Sequence, residues 1–173
     1  MKKIIALLIT IATLAGILFY RSNIHERELV VLSTNDIHAV IDNFPEFVTA
    51  VNLCRDTVTT LLVDGGDRWT GNAFIDRVEG RLPIIELMNH AGYDAVVVGN
   101  HEFDKGHEVL QTMVARAELR WVAANVGCKQ PQPKFEPYAT FDIDGIKIGF
   151  VGVVTTENEG FPLGRRAAYE EFT

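Results

Sequence analysis

Two cysteines, Cys54 and Cys128, are all this 173-residue chain offers, so neither a disulfide framework nor a thiolate zinc site is legible. Cys54 lies in an apolar helical pattern and reads as a buried free thiol; a Cys54–Cys128 bridge is the alternative in an oxidising compartment. Basic residues are also scarce. Lys and Arg number 16 against 23 Asp and Glu, and the net charge of −7 removes the electrostatic footprint of a nucleic-acid binder. No G-x-S-x-G turn occurs, so the serine-hydrolase elbow is excluded. Internal repeats and low-complexity segments are absent too. An acidic chain can still take a phosphorylated small molecule, because metal ions can supply the positive charge.

What is present describes a globular chain. Apolar residues make up 47% and charged residues 23%, enough for one domain, or part of one, with a real core. The N-terminus stands apart. Lys2 and Lys3 precede an uncharged run of 17 residues, Ile4 to Tyr20, before Arg21 restores polarity. A cleaved signal peptide and a retained membrane anchor over residues 4–20 fit this pattern equally. No A-x-A site ends the run, and no cysteine there could take a lipid. Either reading exports the chain to the periplasm or cell envelope, with its body outside the cytoplasm. Residues 1–21 therefore form a targeting segment and 22–28 a polar linker.

From Leu29 onward apolar strands alternate with helical patterns. "LVVLST", "TTLLVD", "DAVVV" and "RWVAANV" read as strands. "FPEFVTAVNLCRD", with Phe44, Phe47, Val48, Val51 and Leu53 at helical spacing, is the first intervening helix. "RLPIIELMNHAG", stopped by Gly92, is the second, and "DKGHEVLQTMVARAEL" the third. "EPYATFDIDGIKIGFVGVVT" alternates around Asp144–Gly145 and predicts a hairpin. "RRAAYEEFT" reads as the start of another helix. The order predicts an α/β fold with some antiparallel pairing.

Three strands end in residues that a turn does not need. The first runs into Asp36 and His38, the second into Asp64, Asp67 and Gly71, the third into Asn100, His101 and Asp104. Ligands bind at the carboxyl ends of strands in open α/β sheets, so parallel pairing would gather the three clusters. Carboxylate, imidazole and amide oxygen suit divalent Zn, Mn, Co, Fe or Mg. In an extended segment Asp36 and His38 would point to the same side.

Asp36-x-His38, Gly66-Asp67-x3-Gly71 and Gly99-Asn100-His101-Glu102 resemble the leading motifs of the calcineurin-like metallophosphoesterases. "STNDIHAVID", "VDGGDRWTGN" and "VVVGNHEFDKG" are similar, more narrowly, to the 5′-nucleotidase / UDP-sugar hydrolase branch, over about Leu29 to Thr156. The resemblance implies a four-layer α+β fold, a mixed sheet flanked by helices, with residues 29–173 supplying part of it. It implies two divalent metal ions, one held by Asp36 and His38, bridged by Asp67 to a second held by Asn100. His101 would be catalytic and Asp104 would orient it. The substrate implied is a small phosphate ester, a nucleotide above all; a 2′,3′-cyclic nucleotide phosphodiesterase is the alternative within the family. The chain lacks the family's later histidine and Gly-His-x-His motif, so a truncated, incomplete site is expected. A non-catalytic, membrane-anchored binding module keeping half of the metal site is the remaining alternative.

Other polar residues receive bland readings. Arg68 reads as a solvated cation, Glu102 as facing away to support its turn, and Asp64 as a hydrogen-bonding support for the site. Trp69 and Phe74 read as loop aromatics, Asp42 and Asp76 as surface acids, and Asn125 as a structural turn residue. Of the remaining histidines, His25 precedes the first strand, His90 ends a helix, and His107 is solvated.

Overall fold

Leu62 and Val63 are neighbours in the chain, yet they belong to two different apolar clusters. Side chains alternate across a strand, and this strand is covered on both faces. The computed structural model describes residues 2–22, 27–78, 82–128, 135–143, 145–155 and 169–172. Within them, β1 (Leu29–Thr34), β2 (Thr59–Asp64), β3 (Ala95–Val97) and β4 (Arg120–Val122) form one parallel sheet in the order β1-β2-β3-β4. The register pairs Thr34 with Asp64 and Asp64 with Val96, so the strands finish along one edge.

Helices make the parallel returns. α2 (Phe44–Arg55) links β1 to β2; α3 (Ala73–Arg77) and α4 (Leu82–Ala91) link β2 to β3; α5 (His107–Arg116) links β3 to β4. Phe44 and Val51, Ile84, Ile85 and Met88, and Leu110 and Met113 pack with Leu62, Val96 and Trp121 on one face of the sheet. The other face carries Val63, Ala95 and Val122 beneath Ala139, Phe141 and Phe150 of a hairpin. That hairpin is β6 (Tyr138–Ile143) paired antiparallel with β7 (Ile146–Val151). Gly145 takes the left-handed turn position at φ 79°, which glycine adopts without a Cβ penalty; the Asp144 half of the expected turn lies outside the described residues.

Several expectations need correction. The chain near its end forms a strand, β8 (Tyr169–Phe172), antiparallel to β5 (Val126–Cys128), where the sequence suggested a helix. Antiparallel pairing is confined to these two-stranded sheets among the described residues. α5 begins at His107, after a separate 3-10 turn at His101–Phe103, because Gly106 at φ 83° breaks the helical run. Leu53 is 63% exposed on the outer side of α2. Cys54 is a free thiol but only half-buried. The Cys128 and His107 side chains and all of His25 lie outside the described residues.

α1 (Lys2–Ser22) is one continuous helix, and every side chain from Ile9 to Tyr20 is exposed. None of the residues from Ile9 to Tyr20 belongs to either apolar cluster. Among the described residues no helix is long and apolar enough to cross a membrane.

Leu62 is fully buried in the second strand of this sheet, between elements that cannot collapse around a void. Leu62→Ala is expected to cost about 2–5 kcal/mol in urea denaturation; a loss below about 1 kcal/mol would contradict the two-faced packing.

Candidate active site

Backbone hydrogen bonds carry the β1–β2 pairing past the ends of the strands. Gly65 N–H donates to Thr34 O at 2.8 Å, Asp36 N–H to Gly66 O at 3.1 Å, His38 N–H to Asp67 O at 3.1 Å, and Ala39 N–H to Arg68 O at 2.8 Å. The segment from Asp36 is not extended. Asp36, His38, Ala39, Asp67 and Thr70 have φ of 51°, 47°, 56°, 54° and 70°. Left-handed backbone at a non-glycine residue costs on the order of 1–3 kcal/mol, and it collects where a site must aim its side chains. Glycines permit the close fit. A Cβ on Gly66 would sit 2.8 Å from Gly99 Cα, and one on Gly71 would sit 2.7 Å from His38 O.

These bent loops bring several polar side chains together. Asp36 Oδ1 and His38 Nε2 are 3.7 Å apart. That is too far for a hydrogen bond. It is close to the roughly 3.4 Å between two donors that share a tetrahedral cation at about 2.1 Å each. His38 Nδ1–H donates to Thr70 O at 2.8 Å, so the neutral ring leaves Nε2 as the lone-pair nitrogen. A backbone carbonyl behind the ring is the usual support of a metal-ligating histidine. The donor set therefore fits a divalent cation. Asn35 Nδ2 donates to Asp36 Oδ2 alongside.

Asp67 Oδ1 accepts the backbone N–H of His101 at 2.8 Å, and the His38 and His101 rings meet edge-to-face with centroids 5.0 Å apart. His101 Nδ1–H donates to Asp104 Oδ2 at 2.8 Å. Burial alone would lower the imidazole pKa, but the Asp104 hydrogen bond and charge, helped by Asp67 and Glu102, raise it overall. Asn100 opens the 3-10 turn, and its side chain makes no capping bond there. The six residues thus occupy three adjoining loops. Asp36–His38, Asp67–His101 and His101–Asp104 touch directly, while Asn100 joins them through the backbone. Among the described residues no three His, Cys, Asp or Glu side chains form a closed cation cage.

Behind the loops lies a layer that the sequence did not announce. Arg68 is fully buried, not solvated, and Glu102 is 1% exposed and turned inward. Asp64 Oδ1 accepts from Arg68 Nε at 3.1 Å, Arg68 Nη2 at 2.9 Å and Gly66 N–H at 3.0 Å; Asp64 Oδ2 accepts from Thr34 Oγ1 at 2.6 Å. Arg68 Nη1 lies 3.4 Å from Glu102 Oε1, an ion-pair contact without hydrogen-bond alignment. The guanidinium stacks 4.6 Å from the Trp121 ring centroid and 5.4 Å from that of Trp69. Burial raises the Glu102 pKa, against the pull of the Arg68 charge. Asp64 does support the site, as read from the sequence. Trp69 is a packed loop aromatic whose Nε1–H reaches His101 O at 2.9 Å, whereas Phe74 is 85% exposed.

Asp76 is more than a surface acid, since its Oδ2 accepts Gly71 N–H at 3.0 Å. Asn125 pins the end of β4 to Val154 with paired bonds of 2.9 and 3.0 Å, a structural role. A signal for the buried charges did exist. Asp64 and Arg68 are four residues apart across a Gly-Gly turn, and Glu102 precedes an apolar Phe103 at a strand end.

Gly99 is the tightest point. A Cβ there would lie 2.3 Å from Asp67 Oδ1 and 2.7 Å from Glu102 Oε2, whereas at Gly149 it would meet nothing within 4 Å. Gly99→Ala is expected to destabilise by about 1–3 kcal/mol in chemical denaturation, and Gly149→Ala by no more than about 0.5 kcal/mol. Equal effects would contradict this geometry.

The calcineurin-like phosphoesterase profile matches residues 29–161. Protein UshA of Yersinia enterocolitica is 34% identical, over 75% of this chain and 26% of that protein. The trifunctional nucleotide phosphoesterase protein YfkN of Bacillus subtilis is 31% identical, over 75% of this chain and 11% of that protein. The chain therefore spans between a tenth and about a quarter of these relatives' lengths. The crystal structure of a 5′-nucleotidase precursor from Thermus thermophilus has a similar fold, with a TM-score of 0.73 at 24% identity over 81% of this chain and 31% of that one. The matched stretch starts at the first residue of β1, takes in all three strand-end loops and runs beyond β7: this chain belongs to the calcineurin-like phosphoesterases.

Proposed function

We propose that this chain carries active-site loops of an exported, metal-dependent nucleotide phosphoesterase. The observation that supports it best is the convergence of a cation-shaped donor pair, Asp36 and His38, with an acid-oriented imidazole, His101, across three strand-end loops. Asp36 and His38 would hold one divalent ion, Asn100 a second, and Asp67 would be shared between them. Bound cations would neutralise phosphate charge and acidify the attacking water.

The chain's own residues do the remaining work. Asp104 holds Nδ1–H of His101, so Nε2 is the nitrogen that can exchange a proton with the substrate. Its raised pKa keeps more of the ring protonated near neutrality, which suits delivery of a proton to the departing alkoxide oxygen. The acceptors behind the rings, Thr70 O for His38 and Asp104 for His101, keep both imidazoles from rotating. A nucleotide is the substrate favoured by the names of the relatives, with the leaving nucleoside contacted by parts of the protein beyond these loops. Lys2 and Lys3 ahead of the apolar run from Ile4 to Tyr20 support export, with the domain delivered outside the cytoplasm.

With Mn²⁺ added, the full-length protein is expected to release phosphate from 5′-AMP and to lose that activity in EDTA. His101→Ala should lower kcat by about 10²–10⁴-fold while Mn²⁺ binding by calorimetry stays near wild type. Undiminished turnover in His101→Ala would remove the proton-transfer role. A wild-type protein that binds no Mn²⁺ or Zn²⁺ would overturn the cation reading itself.

A further inference from the structure

We propose that Glu102 is a positioning residue, fixing the placement of Asp67 relative to His101, and that it does so as an acceptor-only carboxylate. The inference rests on the reading of Asp67 as a cation ligand. Glu102 touches neither substrate nor ion in that reading.

The geometry is a two-point hold. Glu102 Oε2 accepts the backbone N–H of Asp67 at 3.0 Å and of Gly99 at 2.5 Å, and Oε1 accepts Arg68 N–H at 3.1 Å. One side chain thereby ties the loop after β2 to the loop after β3. The same 3-10 turn that carries Glu102 also presents His101 N–H to Asp67 Oδ1 at 2.8 Å. Asp67 is thus fixed at its backbone and at its carboxylate by neighbouring residues of one turn. Its left-handed backbone, φ 54°, would relax if either hold were released.

Each hydrogen-bond or ion-pair partner of the Glu102 carboxylate is a donor: three backbone N–H groups and the Arg68 guanidinium. An amide of equal volume would place an NH₂ against donors in either orientation. The carboxylate is fully shut off from water, so no solvent could substitute for the lost acceptor. Arg68 supplies the compensating charge and is committed to Asp64, Glu102 and Val97 O. It is therefore a counter-ion to the two supporting acids and not a phosphate contact. Glu102 is held by three loop amides that belong to no helix or strand, which distinguishes it from Asp104, whose partner is the imidazole.

The test compares Glu102→Gln with wild type in the full-length protein, using Mn²⁺ alone as the probe. Supports of metal ligands commonly change affinity by about 10–100-fold, and Glu102→Gln is expected to weaken Mn²⁺ binding in calorimetry by that factor while far-UV circular dichroism is retained. Excess Mn²⁺ should restore part of its kcat, which a merely unfolded fraction would not allow. Glu108→Gln, on the exposed side of α5, should bind Mn²⁺ as wild type does. Unchanged Mn²⁺ affinity in folded Glu102→Gln overturns the proposal.

A second measurement does not depend on the variant folding. In metal-free wild-type protein, amide hydrogen exchange at Asp67, Arg68 and Gly99 should be as slow as in β2. Exchange there as fast as in an open loop overturns the proposal. Slow exchange in a wild-type protein that binds no Mn²⁺ overturns instead the cation reading, and leaves Glu102 a structural clamp.

Discussion

A guanidinium held between two carboxylates, with none of the three open to solvent, is the constraint on which the rest of this structure depends. Arg68 reaches Asp64 at 2.9 Å and Glu102 at 3.4 Å, and all three side chains are completely buried. Ions of this kind are costly to desolvate, and an apolar replacement of the same shape is often as stable. Their use here is geometric. Each carboxylate accepts backbone N–H groups from loops that have left the sheet, where no ladder partner remains. The Trp69 and Trp121 rings fix the plane of the guanidinium, so the donors of the fork point in set directions.

The strained loops follow from that hold. Five non-glycine residues take left-handed backbone within Asp36–Thr70, a combined cost that free loops would shed by relaxing. The same loops must pass close to one another, which Gly65, Gly66, Gly71 and Gly99 permit. Bent in this way, Asp36, His38 and Asp67 turn their polar atoms outward along the sheet edge, while Asp64 and Glu102 turn theirs inward. Acids that differ little in sequence context are thereby sorted into two populations. The inner pair satisfies amides and the buried Arg68 guanidinium; the outer group is the one proposed to meet a cation.

Much of this was legible in the sequence, and the remainder failed for identifiable reasons. Hydrophobic runs located all four parallel strands, because β2 and β3 are buried on both faces and read as unbroken Leu and Val. The Asp-Gly turn located the hairpin. Asp36, His38, Asp67, Asn100, His101 and Asp104 were picked out as candidates by their positions after strands, and parallel pairing brings their loops to one edge. Arg68 was misread because a charge in a polar loop is ordinarily solvated; Glu102 does turn away and support its turn, and its further hold on a loop 34 residues away is set by tertiary packing. The extended reading of Asp36-x-His38 failed because propensity argues against left-handed Asp and His, while the network behind them overrides it. Tyr169–Phe172 read as helical since Ala and Glu favour helices locally, whereas pairing with β5 decides the outcome.

If the buried network aims these loops as proposed, Asp36, His38 and Asp67 converge on a bound cation. Anomalous diffraction at the manganese edge, on Mn²⁺-soaked crystals of the full-length protein, addresses it directly. The account expects a strong peak within bonding distance of Asp36, His38 Nε2 and Asp67, with the Glu102 carboxylate still turned inward onto the Asp67 and Gly99 amides. An ordered, manganese-free cleft at these residues under saturating Mn²⁺, with the metal bound elsewhere, would contradict it.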